Sequence, residues 1–561
     1  MDFFRAYRAK DRATSTYFIE STAPDNVDDE APPSDLPPEY APYLEKMDDS
    51  EKAVQRIAED LGKGEKPNLV VMVHGFNNPG PNVLRMYTSA VLAIGRDPQI
   101  SGREGLVCVG YRWPSESMGE PWHGTWDAMP TFPTWLLNAG VVLAVVPFLL
   151  FYFADWAGGL LGWLRDPISD HLVTILGLVL MGLVLTAALL RTIVYFRDTY
   201  RATNFGVPDL VHIIRVIDGK VGELRQSKEA SNDIQLSFIG HSMGGFVVTN
   251  TIRVLSDAFE GARSRIEAYG AAADPGLASP NIGHVFQLKR FVLASPDIPA
   301  ETLLTNRSNF LASALVRFDE AYLFSSEGDE VLRQISTLAN YFVFPTKSRN
   351  HGFRLGNVEI LSRDFGLTNV PRADILKRLR IGHLTLQQLY DGLLRAAEQR
   401  QRGIGSPGVA RPPVLLPERF TYFDCTDYTD DWTDWSDPDK PVRPARPLLT
   451  FANWYKRNDE HARVPWHAHL RLLFVYLFTQ RPNVHAGYFQ GLLSQQLIYR
   501  LACLGYNDTI VAYGSEQELG ETCKDKKIRL LVSPELPDPA AAAASSSTSP
   551  EVRDVRHSAD A

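Results

Sequence analysis

Short continuous runs of apolar residues alternate with longer stretches of helical periodicity along most of the chain. The first runs are Asn68 to His74 and Leu106 to Pro114, and a third predicted strand extends from Ile234 to Ile239. Continuous apolar runs of this length are typical of strands buried on both faces of a parallel sheet. Further short runs that predict strands are Phe291 to Ala294, Ala321 to Phe324, Arg419 to Phe423, Thr509 to Tyr513 and Lys527 to Val532.

Apolar residues at helical spacing separate these predicted strands. The spacing predicts helices over residues 42–61, 209–224 and 488–504. Strands that alternate with helices predict an α/β fold, in which a mostly parallel sheet carries helices on both faces. The predicted domains are an N-terminal flexible segment and helix (1–67), the α/β domain (68–533) and a low-complexity disordered tail (534–561).

Two much longer apolar runs interrupt the predicted α/β domain. Trp135 to Phe153 and Leu172 to Leu190 lack any charged residue, and each is long enough for a helix that crosses a bilayer. We predict an inserted transmembrane hairpin over residues 135–194, although a shallow re-entrant hairpin or a pair of buried helices would fit the same pattern. Because basic residues follow the second run, the positive-inside rule places the α/β domain in the cytoplasm. These residues are Arg191, Arg197 and Arg201.

Composition restricts the classes of partner. Hydrophobic residues make up 45% of the chain, which is enough for a large core, and the formal net charge of −9 opposes non-specific binding to nucleic acid. The four cysteines form no CxxC pair, and the chain has no phosphate-loop, dinucleotide or HExxH motif, so we expect no metal and no cofactor. An Asp- and aromatic-rich stretch, residues 423–439, lacks the glycine and glutamate of a calcium loop, and we interpret it as a solvated surface loop.

A candidate nucleophile lies between a predicted strand and a helix. The hexapeptide GHSMGG, residues 240–245, follows the third strand directly and opens an apolar helix. A sharp turn of this kind raises a serine hydroxyl clear of the sheet, and the helix N-terminus offers backbone amides to an oxyanion. Ser242 is therefore the predicted nucleophile, and the Met243 N–H is a predicted oxyanion donor. A glycine-rich phosphate turn or plain packing is the alternative.

A second turn completes this arrangement. The pentapeptide HGFNN, residues 74–78, follows the first predicted strand. An HG turn at this place supplies the other oxyanion donor, which here is the backbone N–H of Phe76.

Four segments together resemble a known superfamily. LVVMVHGFNN (69–78), VGYRWPS (109–115), FIGHSMGG (238–245) and ASPDIP (294–299) are similar to the α/β-hydrolase superfamily. They are most similar to the bacterial branch of uncharacterised hydrolases with an HGYN-type strand end and a WPS segment. Phe76 stands where that branch has Tyr. The resemblance covers most of residues 68–330 outside the hairpin, and it implies the α/β-hydrolase fold with a Ser-His-Asp triad in the order Ser, Asp, His.

The resemblance leaves two acids and three histidines as candidates for the rest of the triad. Asp329 follows a strand where the superfamily's acid usually lies, and it is favoured over Asp297 in the SPDIP segment. His485 precedes the last long helix, as the superfamily's histidine does, and is favoured over His467 and His469.

Together, these features predict a membrane-anchored serine hydrolase of the esterase, lipase or deacylase type. Its expected partners are the lipid bilayer and a lipid-like or acyl ester substrate, because a bilayer anchor raises the local concentration of lipids. The alternative is a non-catalytic membrane-bound binding or scaffold protein built on a hydrolase fold.

Overall fold

The structure is a computed structural model. It describes residues 4–10, 14–23, 41–47, 49–115, 192–225, 233–256, 280–300, 310–337, 354–358, 419–434, 442–451, 464–478 and 482–533, together with a few isolated positions.

An eleven-stranded sheet organises the described residues. Its order is β15-β12-β9-β8-β6-β4-β5-β2-β1-β3, and β7 pairs with β8 beside this path. The seven strands from β12 to β2 run parallel, whereas β15, β1 and β3 pair antiparallel at the two edges. The strands are β1 (Phe4–Ala9), β2 (Ser15–Ser21), β3 (Leu44–Lys46), β4 (Asn68–Val73), β5 (Leu106–Arg112), β6 (Ile234–His241), β7 (Asn281–Ile282), β8 (Phe286–Ala294), β9 (Glu320–Ser325), β10 (Arg380–Ile381), β11 (Leu384–Thr385), β12 (Phe420–Asp424), β13 (Thr429–Trp432), β14 (Arg443–Pro447) and β15 (Arg529–Leu531).

Helices cover both faces of the sheet, so the central strands are buried on both sides. In β4, for example, Val71 and Val73 pack into one apolar cluster, whereas Val70 and Met72 pack into the other. Helices α1, α3, α4, α5 and α6 contribute to the first cluster, and α2, α7, α8 and α9 contribute to the second. The helices are α1 (Ser50–Leu61), α2 (Gly80–Arg96), α3 (Val207–Arg225), α4 (Met243–Leu255), α5 (Phe310–Leu315), α6 (Trp466–Phe478), α7 (Leu492–Cys503), α8 (Tyr506–Tyr513) and α9 (Glu516–Asp525). The α/β fold predicted from the alternation of strands and helices is confirmed.

The N-terminal segment contributes more to the sheet than its sequence pattern indicates. Strands β1, β2 and β3 precede the predicted start of the α/β domain at residue 68, and β2 pairs in parallel with β5. Polar residues interrupt the apolar positions of these strands, so they lack the continuous apolar run that predicts a central strand.

Two expectations for the C-terminal third were wrong. The predicted strand from Thr509 to Tyr513 is part of helix α8, which begins after Gly505 and ends before Gly514, two glycines with positive φ. The stretch interpreted as a solvated loop, residues 423–439, begins with the end of β12 and then forms β13. Cys425 and Tyr428 in this stretch are fully buried, because they pack in the second cluster.

The predicted transmembrane hairpin, residues 135–194, lies almost entirely outside the described residues, as does the predicted tail. None of the helices in the described part of the chain combines the length and apolar character that a membrane crossing requires.

Candidate active site

Ser242 occupies a strained turn between β6 and α4. Its backbone has φ 54° and ψ −124°, a conformation that non-glycine residues seldom adopt. Two hydrogen bonds hold the carbonyl oxygen of Ser242, which accepts from the backbone N–H of Gly245 and of Asp297, both at 3.0 Å. Gly244 leaves room for the turn, since a Cβ there would overlap the carbonyl oxygen of Val73 at the end of β4. The strand, turn and helix together form the nucleophile elbow geometry expected from GHSMGG.

His485 and Asp329 meet at the carboxyl ends of the parallel strands, the same end of the sheet as Ser242. His485 Nδ1 lies 2.7 Å from Asp329 Oδ2. Because an ionised carboxylate only accepts hydrogen bonds, the proton belongs on Nδ1, and Nε2 is left with a lone pair. Asp329 is fully buried, whereas the His485 side chain is 12% exposed. Asp329 Oδ1 also accepts from the backbone N–H of Leu332 at 3.2 Å.

The other candidate histidines have different partners. His469 Nδ1 bonds Glu330 Oε1 at 2.5 Å, and its Nε2 lies 2.7 Å from an Arg333 nitrogen. His467 lies on the exposed face of α6.

The other candidate acid also has different partners. Asp297 is buried and forms an ion pair with Arg354 at 3.2 Å. Its Oδ1 accepts from the Ser336 hydroxyl at 2.5 Å. The structure therefore brings Asp329 and His485 together, and pairs Asp297 with other groups.

Gly75 lies in the turn that follows β4 (residues 74–78, the β4 turn) and packs against Ser242. A Cβ at residue 75 would lie 2.7 Å from Ser242 Cβ and 3.2 Å from Ser242 Oγ. The ring of the next residue, Phe76, lies 6.3 Å from the His485 ring. Ser242 Oγ and His485 Nε2 are both buried, and neither makes a hydrogen bond to the described residues. Buried polar atoms without partners are rare in folded proteins and are found at functional sites.

The predicted oxyanion donors lie on these same two turns. Within the described part of the chain, the backbone N–H groups of Phe76 and Met243 make no hydrogen bond. The Met243 N–H opens α4, where helix geometry leaves the first amides without intrahelical partners.

Two further histidines, His241 and His74, are buried beside the site. Burial, with a smaller contribution from the neighbouring His485, lowers the pKa of His241 to about 3. Burial likewise lowers the pKa of His74 to about 3, and its ring stacks on Trp113. His241 Nε2 lies 3.3 Å from the backbone oxygen of His485, which it reaches as a donor. Both rings are neutral at physiological pH, and His241 supports the loop that carries His485.

A cavity of about 190 Å³ opens beside His485. His485, His241 and Phe76 line it together with asparagines and aromatic and aliphatic side chains, and no Asp, Glu, Lys or Arg of the described residues contributes. Ser242 does not line the cavity and is fully buried. The remaining lining residues include Asn77, Asn82, Met86, Val331, Tyr476 and Phe489.

The segment that carries the elbow matches a known family. Residues 214–305 match the family model described as "Putative serine esterase (DUF676)". This segment of the chain resembles a serine esterase. It contains β6, Ser242, α4 and β8, so the match and the elbow geometry support a serine hydrolase in general. No curated protein and no solved structure matches the chain.

Ser295 is a site residue that sequence reasoning missed. It follows β8, has φ 47°, and its hydroxyl donates to Asp329 Oδ2, the atom that also bonds His485. The sequence offered one signal: Ser295 directly follows a predicted strand, which places it at the carboxyl ends of the strands together with Ser242.

As for metals, the described residues contain no group of three or more His, Cys, Asp and Glu side chains suited to a metal ion.

Proposed function

We propose that this protein hydrolyses a carboxylic ester or thioester through an acyl-enzyme, with Ser242 as nucleophile, His485 as base and Asp329 as the acid that orients His485. The hydrogen bond between His485 and Asp329 carries the proposal. It fixes the tautomer in which Nε2 can accept a proton, and it stabilises the imidazolium that results. The partnerless Ser242 Oγ and His485 Nε2 are the two atoms between which that proton would pass.

The reaction follows from these roles. Ser242 Oγ forms a bond to the carbonyl carbon while its proton passes to His485 Nε2. The tetrahedral intermediate then expels the alcohol or thiol, which takes the proton from His485. Water then attacks the carbonyl carbon of the acyl-enzyme while its proton passes to His485 Nε2. His485 returns that proton to Ser242 Oγ as the carboxylic acid leaves.

The negative oxygen of the intermediate would be held by two amides. The Phe76 and Met243 N–H groups are proposed as donors, since they lie on the two turns that meet at Ser242 and Gly75. In serine hydrolases one such donor accounts for about 10²–10³-fold in kcat. The cavity beside His485 has an uncharged lining among the described residues, which supports a neutral substrate group there.

The proposal also includes the fold superfamily, its branch and a membrane anchor. The parallel sheet and the elbow support an α/β-hydrolase fold, and HGFNN with WPS supports the HGYN/WPS branch. The two uncharged runs within residues 135–194 support a transmembrane hairpin with the hydrolase domain in the cytoplasm, and hence a lipid-like substrate. Extraction of membranes with alkaline carbonate tests the anchor: the full chain should stay with the lipid, and its release into the supernatant would contradict a transmembrane hairpin.

Labelling with a fluorophosphonate probe tests the nucleophile. Wild-type protein should be labelled and should turn over p-nitrophenyl esters, and Ser242→Ala should lose both activities. His485→Gln should also lose ester turnover, because His485 is the proposed base. His467→Gln is its matched control, because His467 is exposed on α6. Labelling of Ser242→Ala at the wild-type level would refute the assignment of the nucleophile. A well-folded wild-type protein that no probe labels would favour the non-catalytic scaffold instead.

A further inference from the structure

Two side chains from outside the β4 turn hold its backbone. The N–H of Asn77 donates to Asp198 Oδ2 at 2.8 Å. The N–H of Asn78 donates to the hydroxyl oxygen of Ser115 at 3.2 Å. These two amides directly follow Phe76, whose own N–H is a proposed oxyanion donor.

The two holding residues are bonded to each other. The Ser115 hydroxyl donates to Asp198 Oδ2 at 2.7 Å, and both side chains are fully buried. Along the chain they border the segment in which the hairpin is predicted: Ser115 precedes it by twenty residues, and Asp198 lies just beyond its end, in the helical residues 192–200. Ser115 and Asp198, one on each side of that segment, therefore meet at the β4 turn.

The same helical residues also contact the side chain of Phe76. The Tyr195 ring packs edge-on against the Phe76 ring, with centroids 5.6 Å apart. Inside the turn, Asn78 Nδ2 donates to the carbonyl oxygen of Phe76 at 3.0 Å. Any displacement of the turn at Asn77 or Asn78 is thus transmitted to Phe76.

The turn needs outside support because of its backbone conformation. Asn77 has φ 59°, in the left-handed region that is unfavourable for most residues and that asparagine adopts more readily than other non-glycine residues, although less readily than glycine. A buried carboxylate is a strong acceptor for an amide, and charge-assisted hydrogen bonds are about twice as strong as neutral ones. Burial raises the pKa of Asp198, while Arg197, 3.4 Å away, opposes that rise.

We propose that Asp198, together with Ser115, is a positioning residue for the oxyanion hole. By fixing the Asn77 and Asn78 amides, the pair places the Phe76 N–H beside that of Met243. The inference rests on the proposed serine hydrolase function. It implies that the chain segments bordering the predicted hairpin take part in building the site.

The test compares Asp198→Asn and Ser115→Ala with wild type in the full-length protein. Asp198→Asn keeps the shape of the side chain but removes its charge, and Ser115→Ala removes one hydroxyl. A misplacement of about 1 Å can cost about 10²-fold in rate, so kcat of Asp198→Asn should fall by about that factor. Ser115→Ala should fall by about 10-fold, and KM should change by less than about threefold in both, because the loss is confined to the transition state. The rate constant of fluorophosphonate labelling should fall in parallel with kcat.

Asp218→Asn is the matched control. Asp218 is also buried and also holds a loop, since it accepts from the backbone N–H of His284 at 2.9 Å and of Val285 at 3.0 Å. That loop precedes β8 and lies at the opposite end of the strand from Ser295. Asp218→Asn should lower the melting temperature without lowering kcat.

Equal kcat values for Asp198→Asn and Asp218→Asn would overturn the positioning role. If Asp198→Asn does not fold, Ser115→Ala decides: wild-type kcat and labelling rate in that variant would overturn the proposal. Failure of the proposed function gives a different result, because the wild-type protein itself would then show no labelling.

Discussion

Asp329 and Asp297 are both buried, yet only Asp329 bonds a histidine. Asp329 accepts from His485 and from the Ser295 hydroxyl, whereas Asp297 is paired with Arg354 and Ser336. Both residues lie beyond the carboxyl ends of neighbouring parallel strands, so sequence spacing alone could not separate them. Their different partners predict different consequences of the same substitution.

Asp329→Asn should abolish most activity with little effect on ester binding. The amide cannot stabilise the imidazolium of His485 and favours the wrong tautomer, and the equivalent change in a serine protease triad lowers kcat by about 10⁴-fold. Asp297→Asn should instead lower stability, since it leaves the buried Arg354 without its counter-charge, a loss of about 3–5 kcal/mol for a buried pair. Steady-state kinetics and thermal melting of both variants check this. A larger kcat loss in Asp297→Asn would reverse the two roles.

Gly75→Ala should inactivate the protein through Ser242. The added methyl group would lie 2.7 Å from Ser242 Cβ, so the β4 turn or the elbow must move. A shift of about 1 Å at this point can cost about 10²-fold in kcat. Gly222→Ala is the control, because its added methyl group on α3 meets nothing within 4 Å. That change should stabilise the helix by about 0.5–1 kcal/mol and leave kcat unchanged. Equal activity of the two variants would contradict the close packing of Gly75 on Ser242.

Much of the central sheet could be predicted from the sequence. Strands β4 and β5 are nearly continuous apolar runs because helices cover both faces of the sheet, and this burial leaves a clear pattern. The position of Ser242 followed from the same pattern, since the elbow needs a strand before it and a helix after it. Strands β1 and β2, which lie near one edge of the sheet, carry no such signal, because polar positions interrupt them.

The tertiary contacts of the site could not be predicted from the sequence pattern. Asp198 meets Asn77 across 121 residues, and no periodicity or motif links the two. Ser295 was hidden for a similar reason, because its hydroxyl meets Asp329 only after two strands and their connection have packed. The β-branched residues Thr509, Ile510 and Val511 favoured a strand, but two glycine caps and packing in the second cluster select a helix there.

Ser242→Gly should raise the stability of the fold while abolishing ester hydrolysis. A non-glycine residue at φ 54° stores strain of about 1–3 kcal/mol, and glycine adopts this conformation at little cost. Part of the gain is offset, because glycine has more freedom in the unfolded chain. Chemical unfolding of Ser242→Gly and Ser242→Ala compares the two directly. If Ser242→Ala is at least as stable as Ser242→Gly, the elbow is not strained at this residue.

The stability of the protein should fall as the pH drops from about 6 to about 4, partly because His74 and His241 are buried in the neutral form. Their pKa values of about 3 in the folded state lie below the ordinary value of 6.5, so in this window the unfolded chain binds protons that the folded chain excludes. Each histidine contributes stability that is fully present above pH 6.5 and is lost at about 1.4 kcal/mol per pH unit as the pH falls towards the folded-state value.

His74→Asn tests this contribution. It keeps a donor near the position of Nδ1, which lies 2.7 Å from the Gly75 carbonyl oxygen, but removes one titrating group. The free energy of unfolding, measured in urea at several pH values, should therefore fall less steeply in His74→Asn than in wild type. Equal slopes would mean that His74 is protonated in the folded protein, contrary to its burial against Trp113.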